Sequence, residues 1–98
     1  MGEVNKIPVT DGGSPLGRLV PGTGTLCVRP EAIGVGGPLS LGPARVTDLA
    51  FFGTHIRAHA APVAAPGTDL ILHLPPETAV MVGDVLDLSA RAHVLLTA

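Results

Sequence analysis

This 98-residue chain has no tryptophan, no tyrosine and only two phenylalanines, Phe51 and Phe52. Proteins that hold single-stranded nucleic acid stack bases on aromatic rings beside a basic groove. Six Lys and Arg stand against eight Asp and Glu, for a net charge of −2. That composition disfavours a nucleic-acid partner, even for a barrel. A single cysteine, Cys27, excludes an internal disulfide and gives no sign of an oxidising compartment. Its apolar setting, Thr25-Leu26-Cys27-Val28, predicts a buried, inert thiol. The only lysine, Lys6, follows no glycine-rich loop. The phosphate-cradling pattern Gly-x-x-x-x-Gly-Lys-Ser/Thr is therefore absent, and with it ATP hydrolysis by that route.

Long apolar runs are missing as well. The stretch from Ala60 to Thr68 contains Pro62 and Pro66 and is about half the ~20 residues that a membrane-spanning helix needs. Met1-Gly2-Glu3-Val4-Asn5 has no basic segment ahead of an apolar one, so no secretory leader is expected.

Glycine and proline are abundant, at 13 and 10 residues, and they interrupt a chain that is 46% hydrophobic. Little helical periodicity survives between them. The remaining segments are short and rich in Val, Leu and Ile, which predicts an all-β fold of short antiparallel strands in a small OB-like barrel, without substantial helix. Strands are expected at 3–10, 16–20, 25–29, 44–52, 54–60, 68–74, 85–89 and 92–97. Alternation is clearest in His55-Ile56-Arg57-Ala58-His59-Ala60, where His55, Arg57 and His59 share one face. Pro30-Glu31-Ala32-Ile33 and Pro76-Glu77-Thr78-Ala79 can form a single helical turn each. The segments 34–43 and 60–67 read as linkers. One domain is expected over 3–97, with a possible division into two intertwined β subunits at 3–33 and 44–97, each too short to fold alone.

The expected core comprises Val4, Leu19, Leu26, Val28, Ile33, Val46, Leu49, Phe51, Ile56, Leu70, Leu72, Val85, Leu86, Leu88, Val94 and Leu96. Phe51 and Phe52 are adjacent and cannot both face inward on a regular strand, and a bulge before Gly53 would change which one does. Truncating the buried one should cost about 3–5 kcal/mol.

No catalytic, cofactor-binding or metal residues are predicted. His55 and His59 lie about 13 Å apart along a strand, too far to share one ion. His73 reads as a bonded, partly buried residue and His93 as an edge or barrel-rim residue. Ser14, Ser40 and Ser89 have no sequence context that supplies a base. Asp84, in Gly83-Asp84, is expected to serve a turn.

Val28-Arg29-Pro30-Glu31-Ala32-Ile33 resembles the Arg-Pro-Glu signature of TOBE (transport-associated OB) domains, found after the ATP-binding cassette of ABC-importer ATPases. Val46-Thr47-Asp48-Leu49-Ala50-Phe51-Phe52-Gly53 is similar to that family's strand ending in an aromatic-Gly corner. Val82-Gly83-Asp84-Val85-Leu86-Asp87-Leu88 is similar to its Gly-Asp strand, and His93-Val94-Leu95-Leu96 to its closing strand. Upstream, Asn5-Lys6-Ile7 and Pro15-Leu16-Gly17-Arg18-Leu19 resemble its first hairpin. The signature residues are thus Arg29, Pro30, Glu31, Phe51, Phe52, Gly53, Gly83 and Asp84. Where many relatives carry a Trp-containing segment, this chain has Ser89-Ala90-Arg91-Ala92.

The resemblance implies a non-catalytic regulatory and subunit-contact domain, its parent chain an ATPase importing solutes such as polyamines, ferric iron or sugars. The implied location is cytoplasmic, at the inner face of the cell membrane. The implied partners are a second copy, the parent's ATP-binding domain and, indirectly, a permease, with no direct membrane insertion. Arg29 and Glu31 are expected to bond the corner after the third strand, and Ala60–Gly67 and His93–Ala98 to form apolar contact edges. The alternative is a freestanding small-ligand or oxyanion-binding barrel resembling mop domains, since Ser89-Ala90-Arg91 is similar to part of their signature.

Overall fold

The computed structural model describes residues 3–97. Alternation of buried and exposed positions dominates it, as expected of strands with one wet face. The strands are β1 (Asn5–Val9), β2 (Gly13–Ser14), β3 (Gly17–Arg18), β4 (Gly24–Val28), β5 (Ile33–Gly34), β6 (Leu39–Phe52), β7 (His55–Pro62), β8 (Leu70–Leu74), β9 (Val85–Ala90) and β10 (Val94–Leu96). The single helical element among the described residues is a 3-10 turn at Pro30–Ala32, with proline at its start. Pro76–Ala79, the other candidate turn, is not helical.

Five strands form an antiparallel sheet in the order β5-β9-β6-β7-β8. β5 at one end lies beside β8 at the other, so the sheet curls into a nearly closed barrel. β1, β4 and β10 form a second sheet in the order β1-β4-β10, and β2 pairs with β3 in a small hairpin. Ile7, Val9, Leu26 and Val28 turn inward from the second sheet and join Ile33, Leu41, Ile56, Leu70, Leu72 and Leu88 in one core. Ala58 and Ala60, fully buried on β7, let the walls approach closely.

Two irregularities bend β6. Its register slips against β9 between Ser40 and Gly42, and against β7 between Val46 and Asp48. Each extra residue reverses which side chains face inward and sharpens the local twist. Gly42 takes φ +83°, a conformation that glycine adopts without a Cβ penalty. The segment 39–43 is therefore strand, not linker, and Ala60–Pro62 likewise belong to β7.

The expected bulge before Gly53 does not occur. Phe51 pairs with Ile56 and Phe52 with His55 in a regular hairpin, and the slip lies upstream at Thr47. Both phenylalanines are exposed, at 70% and 48%. The reason is topological: β9 stops pairing with β6 at Arg45↔Val85, so the last turns of β6 have a strand on one side only. Ile56 is covered by Leu74 of β8; nothing comparable covers Phe51.

Val4, Val85, Val94 and Leu96, also expected in the core, are 40–58% exposed. Val4 lies just ahead of β1, Val85 opens β9, and Val94 and Leu96 occupy the solvent-facing phase of β10. Leu19, Leu49 and Leu86 are only partly buried, and Cys27 is half-buried, not buried. Ile7, Val9, Leu41, Ala44, Ala58, Ala60, Leu74 and Ala90 complete the core in their place.

Candidate functional site at the barrel corner

The chain turns from one sheet into the other at Arg29–Ala32. Pro30 is buried and anchors this corner, while Arg29 and Glu31 point to solvent. Among the described residues neither side chain makes a hydrogen bond, so the expectation that they bond the corner is corrected. The fastening comes from the other end of the domain. The Arg91 guanidinium donates to the Glu31 carbonyl, and the Arg91 backbone N–H donates to the Ala32 carbonyl at 2.8 Å. Ser89 completes the clasp: its hydroxyl donates to the Gly34 carbonyl at 3.2 Å and accepts from the Gly37 N–H at 2.5 Å. Ser89 and Arg91 thus hold the corner and the loop after it.

Between this corner and the β7–β8 sheet lies an open groove of about 600 Å³. Ile33, Leu74 and Pro75 supply its apolar lining; Glu31, His55, His73, Thr78 and Arg91 supply its polar one. The His55 and His73 rings stand 4.3 Å apart, tilted by 32°, and His55 stacks on Phe52 on its other side at 5.1 Å. Thr54 Oγ1 sits 3.0 Å from His55 Nδ1 and orients the ring. No sequence signal marks the His55–His73 pair, because the two residues meet only when β7 and β8 are in register. His73 is half-buried, as expected, but by stacking instead of hydrogen bonding.

Further along the same face His59 Nδ1 meets Asp69 Oδ2 at 2.8 Å. Arg57 reaches back to Glu3 through a forked contact, Nε to Oε1 at 2.9 Å with a second bond from Nη2 to Oε2. The hydrogen bond from Arg57 holds the Glu3 carboxyl below its ordinary range, and the same bond raises the guanidinium. His93 is exposed just before β10.

Gly83 and Asp84 form a turn, as predicted. Gly83 takes φ +98°, and Asp84 Oδ2 accepts the Met81 N–H at 2.9 Å. The Gly83 N–H and the Asp84 carbonyl then bond both backbone groups of Val46, at 2.8 Å each, beside the Thr47 bulge. Phe51, Phe52 and Gly53 form the free tip of the β6–β7 hairpin. The signature residues therefore occupy three separate places: the corner, the hairpin tip and the β9 turn.

Among the described residues the one hydroxyl bonded to a histidine is that of Thr54, on its chain neighbour His55. The Ser14 hydroxyl bonds the Gly17 carbonyl, Ser89 is spent on the clasp, and Cys27 contacts the Thr25 carbonyl. Among the described residues no serine or cysteine bonds a histidine, and no group of three or more His, Cys, Asp or Glu side chains could hold a metal ion.

The model for the TOBE domain matches residues 26–97. The chain belongs to the TOBE family. No curated protein matches it. The matched span runs from β4 through β10 and includes all eight signature residues. The first strand and the small hairpin lie ahead of it. A TOBE domain is a transport-associated, non-catalytic module.

Proposed function

We propose that this TOBE domain is a regulatory and subunit-contact element of an ABC-importer ATPase working on solutes such as polyamines, ferric iron or sugars. The observation that carries this reading is the family match across nearly three quarters of the chain. On this reading the domain sits at the cytoplasmic face of the membrane, beside the ATP-binding domain and indirectly the permease. It stabilises a pair of ATPase subunits by contact between copies. The test is to purify the importer with and without this domain and to measure ATP hydrolysis and solute uptake. Hydrolysis should persist without the domain, while its coupling to uptake or the stability of the ATPase pair falls. Unchanged coupling and pairing would refute the proposal.

A second reading, a small-ligand or oxyanion-binding barrel, is favoured by the groove, whose volume is in the range of small-molecule sites and which presents Arg91. Against it, Arg91 and Ser89 are already committed to backbone carbonyls of the corner. Calorimetric titration with molybdate separates the two readings.

A further inference from the structure

The three-stranded sheet ends in an uncovered edge. β10 pairs with β4 through Val94↔Cys27, Leu95↔Leu26 and Leu96↔Thr25, and among the described residues no strand pairs with its other side. Val94 and Leu96 are 58% and 57% exposed, on the same solvent-facing side of the sheet. Their neighbours on that face are Cys27 and Thr25 of β4, then Lys6 and Pro8 of β1. An aliphatic strip beside open backbone is a template on which another strand can pair.

The phase of the edge can be read from Gly24. The Leu96 carbonyl closes on that glycine so tightly that a Cβ would have no room. Leu96 therefore turns its backbone groups toward β4, and so by alternation does Val94. The N–H and C=O of Leu95 between them face outward.

We infer that β10 is a homotypic docking edge, on which a second copy adds its own β10 antiparallel about a two-fold axis at Leu95. This deepens the subunit-contact reading proposed above and rests on it. In that register Leu95 and its counterpart exchange two backbone hydrogen bonds, and Val94 lies opposite Leu96 of the second copy. The four exposed aliphatic side chains then form one strip across a continuous six-stranded sheet. Only a two-fold arrangement uses the same patch on both sides, and this strand supplies both halves of it.

Two features favour a second copy over a foreign strand. The edge offers one residue's outward hydrogen bonds, too few to hold an unrelated extended chain without matching side chains at alternate positions. It is also free of like-charge conflict. Lys6, at the far side of this face, would stand five strand spacings from its counterpart, about 24 Å, about three times the ~8 Å screening length at physiological salt, and Arg29 and Glu31, which line a pocket with Cys27 and Val94, offer charges of both signs.

Sedimentation of the full chain should show the mass rising from 9.9 kDa toward twice that value with concentration. Leu96→Glu, at an exposed position that leaves the monomer folded by circular dichroism, should weaken association by about tenfold or more by burying a charge against Val94. Val63→Glu, at an exposed position in the turn after β7, should not. Register is tested by oxidising equal parts of Val94→Cys and Leu96→Cys chains in a Cys27→Ser background. Opposed non-hydrogen-bonded residues lie about 4.5 Å apart at Cα, within disulfide reach, so the mixed dimer should crosslink and Leu96→Cys alone should not. A chain that stays monomeric at high concentration would overturn both this edge and homotypic contact. A dimer indifferent to Leu96→Glu that gives no mixed crosslink would overturn this edge alone.

Discussion

Among the described residues Asn5 is one of two buried polar or charged residues, at 4% exposure, and it joins the two sheets. Its amide pairs with the open edge of β8 as a short strand would. Nδ2 donates to the Ile71 carbonyl at 2.7 Å, and Oδ1 accepts the Ile71 N–H at 2.7 Å. Nδ2 also donates to the Val28 carbonyl at 3.2 Å. Asn5→Ala would leave both Ile71 groups without partners. An unsatisfied buried group costs about 1–3 kcal/mol, so the loss should be about 3 kcal/mol once some water enters. A domain of this length has about 5–15 kcal/mol in total. Each kcal/mol is worth about 4–8 °C, so the melting point should fall by about 15 °C. Urea denaturation should show a lower midpoint with an unchanged slope. Asn5→Asp provides a second, sign-specific arm. A carboxylate there could still accept from Ile71 N–H but would face two carbonyl oxygens, so the folded state favours the protonated acid and raises its pKa. Stability of that variant should be greatest below the unfolded pKa and fall as pH rises through the folded one. An Asn5→Ala loss below about 1 kcal/mol, or an Asn5→Asp chain more stable at neutral than at acid pH, would refute the argument.

Three other outcomes follow from the same geometry. Phe51→Ala should cost no more than about 0.5 kcal/mol by thermal melting, because the ring is already in water, in place of the 3–5 expected for a core aromatic. Ser89→Ala strands the Gly37 N–H and should cost about 1–2 kcal/mol in urea, with faster amide exchange at Gly37. Glu3, with its pKa lowered by Arg57, contributes stability that is present above its unfolded pKa and lost as pH falls through the lower folded one. The contact is solvent-exposed, so Glu3→Gln should leave the neutral-pH melting point unchanged within scatter and remove only a small part of the acid-side decline.

The sequence by itself determined the fold class and the places where strands occur. Glycine and proline at short intervals leave no room for a helix of useful length. Eight expected strands correspond to eight observed ones, differing mainly at their ends, because the alternation of aliphatic residues is local information. Two-residue β2 and β5 escaped notice since so short a segment has no period to detect. The Gly83-Asp84 turn was legible too, because glycine's positive φ and the reach of an aspartate side chain are properties of neighbouring residues.

Tertiary structure decided what depends on residues far apart in the chain. Whether Phe51 is core or surface turned on where β9 stops pairing with β6. The slip at Thr47 had no local sign, because a bulge is defined by its partner strand. Asn5 could be read as the head of a strand, but its role rests on Ile71, 66 residues away. The His55–His73 stack likewise exists only because β7 and β8 are in register. Val94 and Leu96 have the alternation of any buried strand; that their shared side faces solvent, beside an open edge, is set by the order β1-β4-β10. A side-chain pattern fixes which residues share a face, but only the arrangement of sheets determines whether anything covers it.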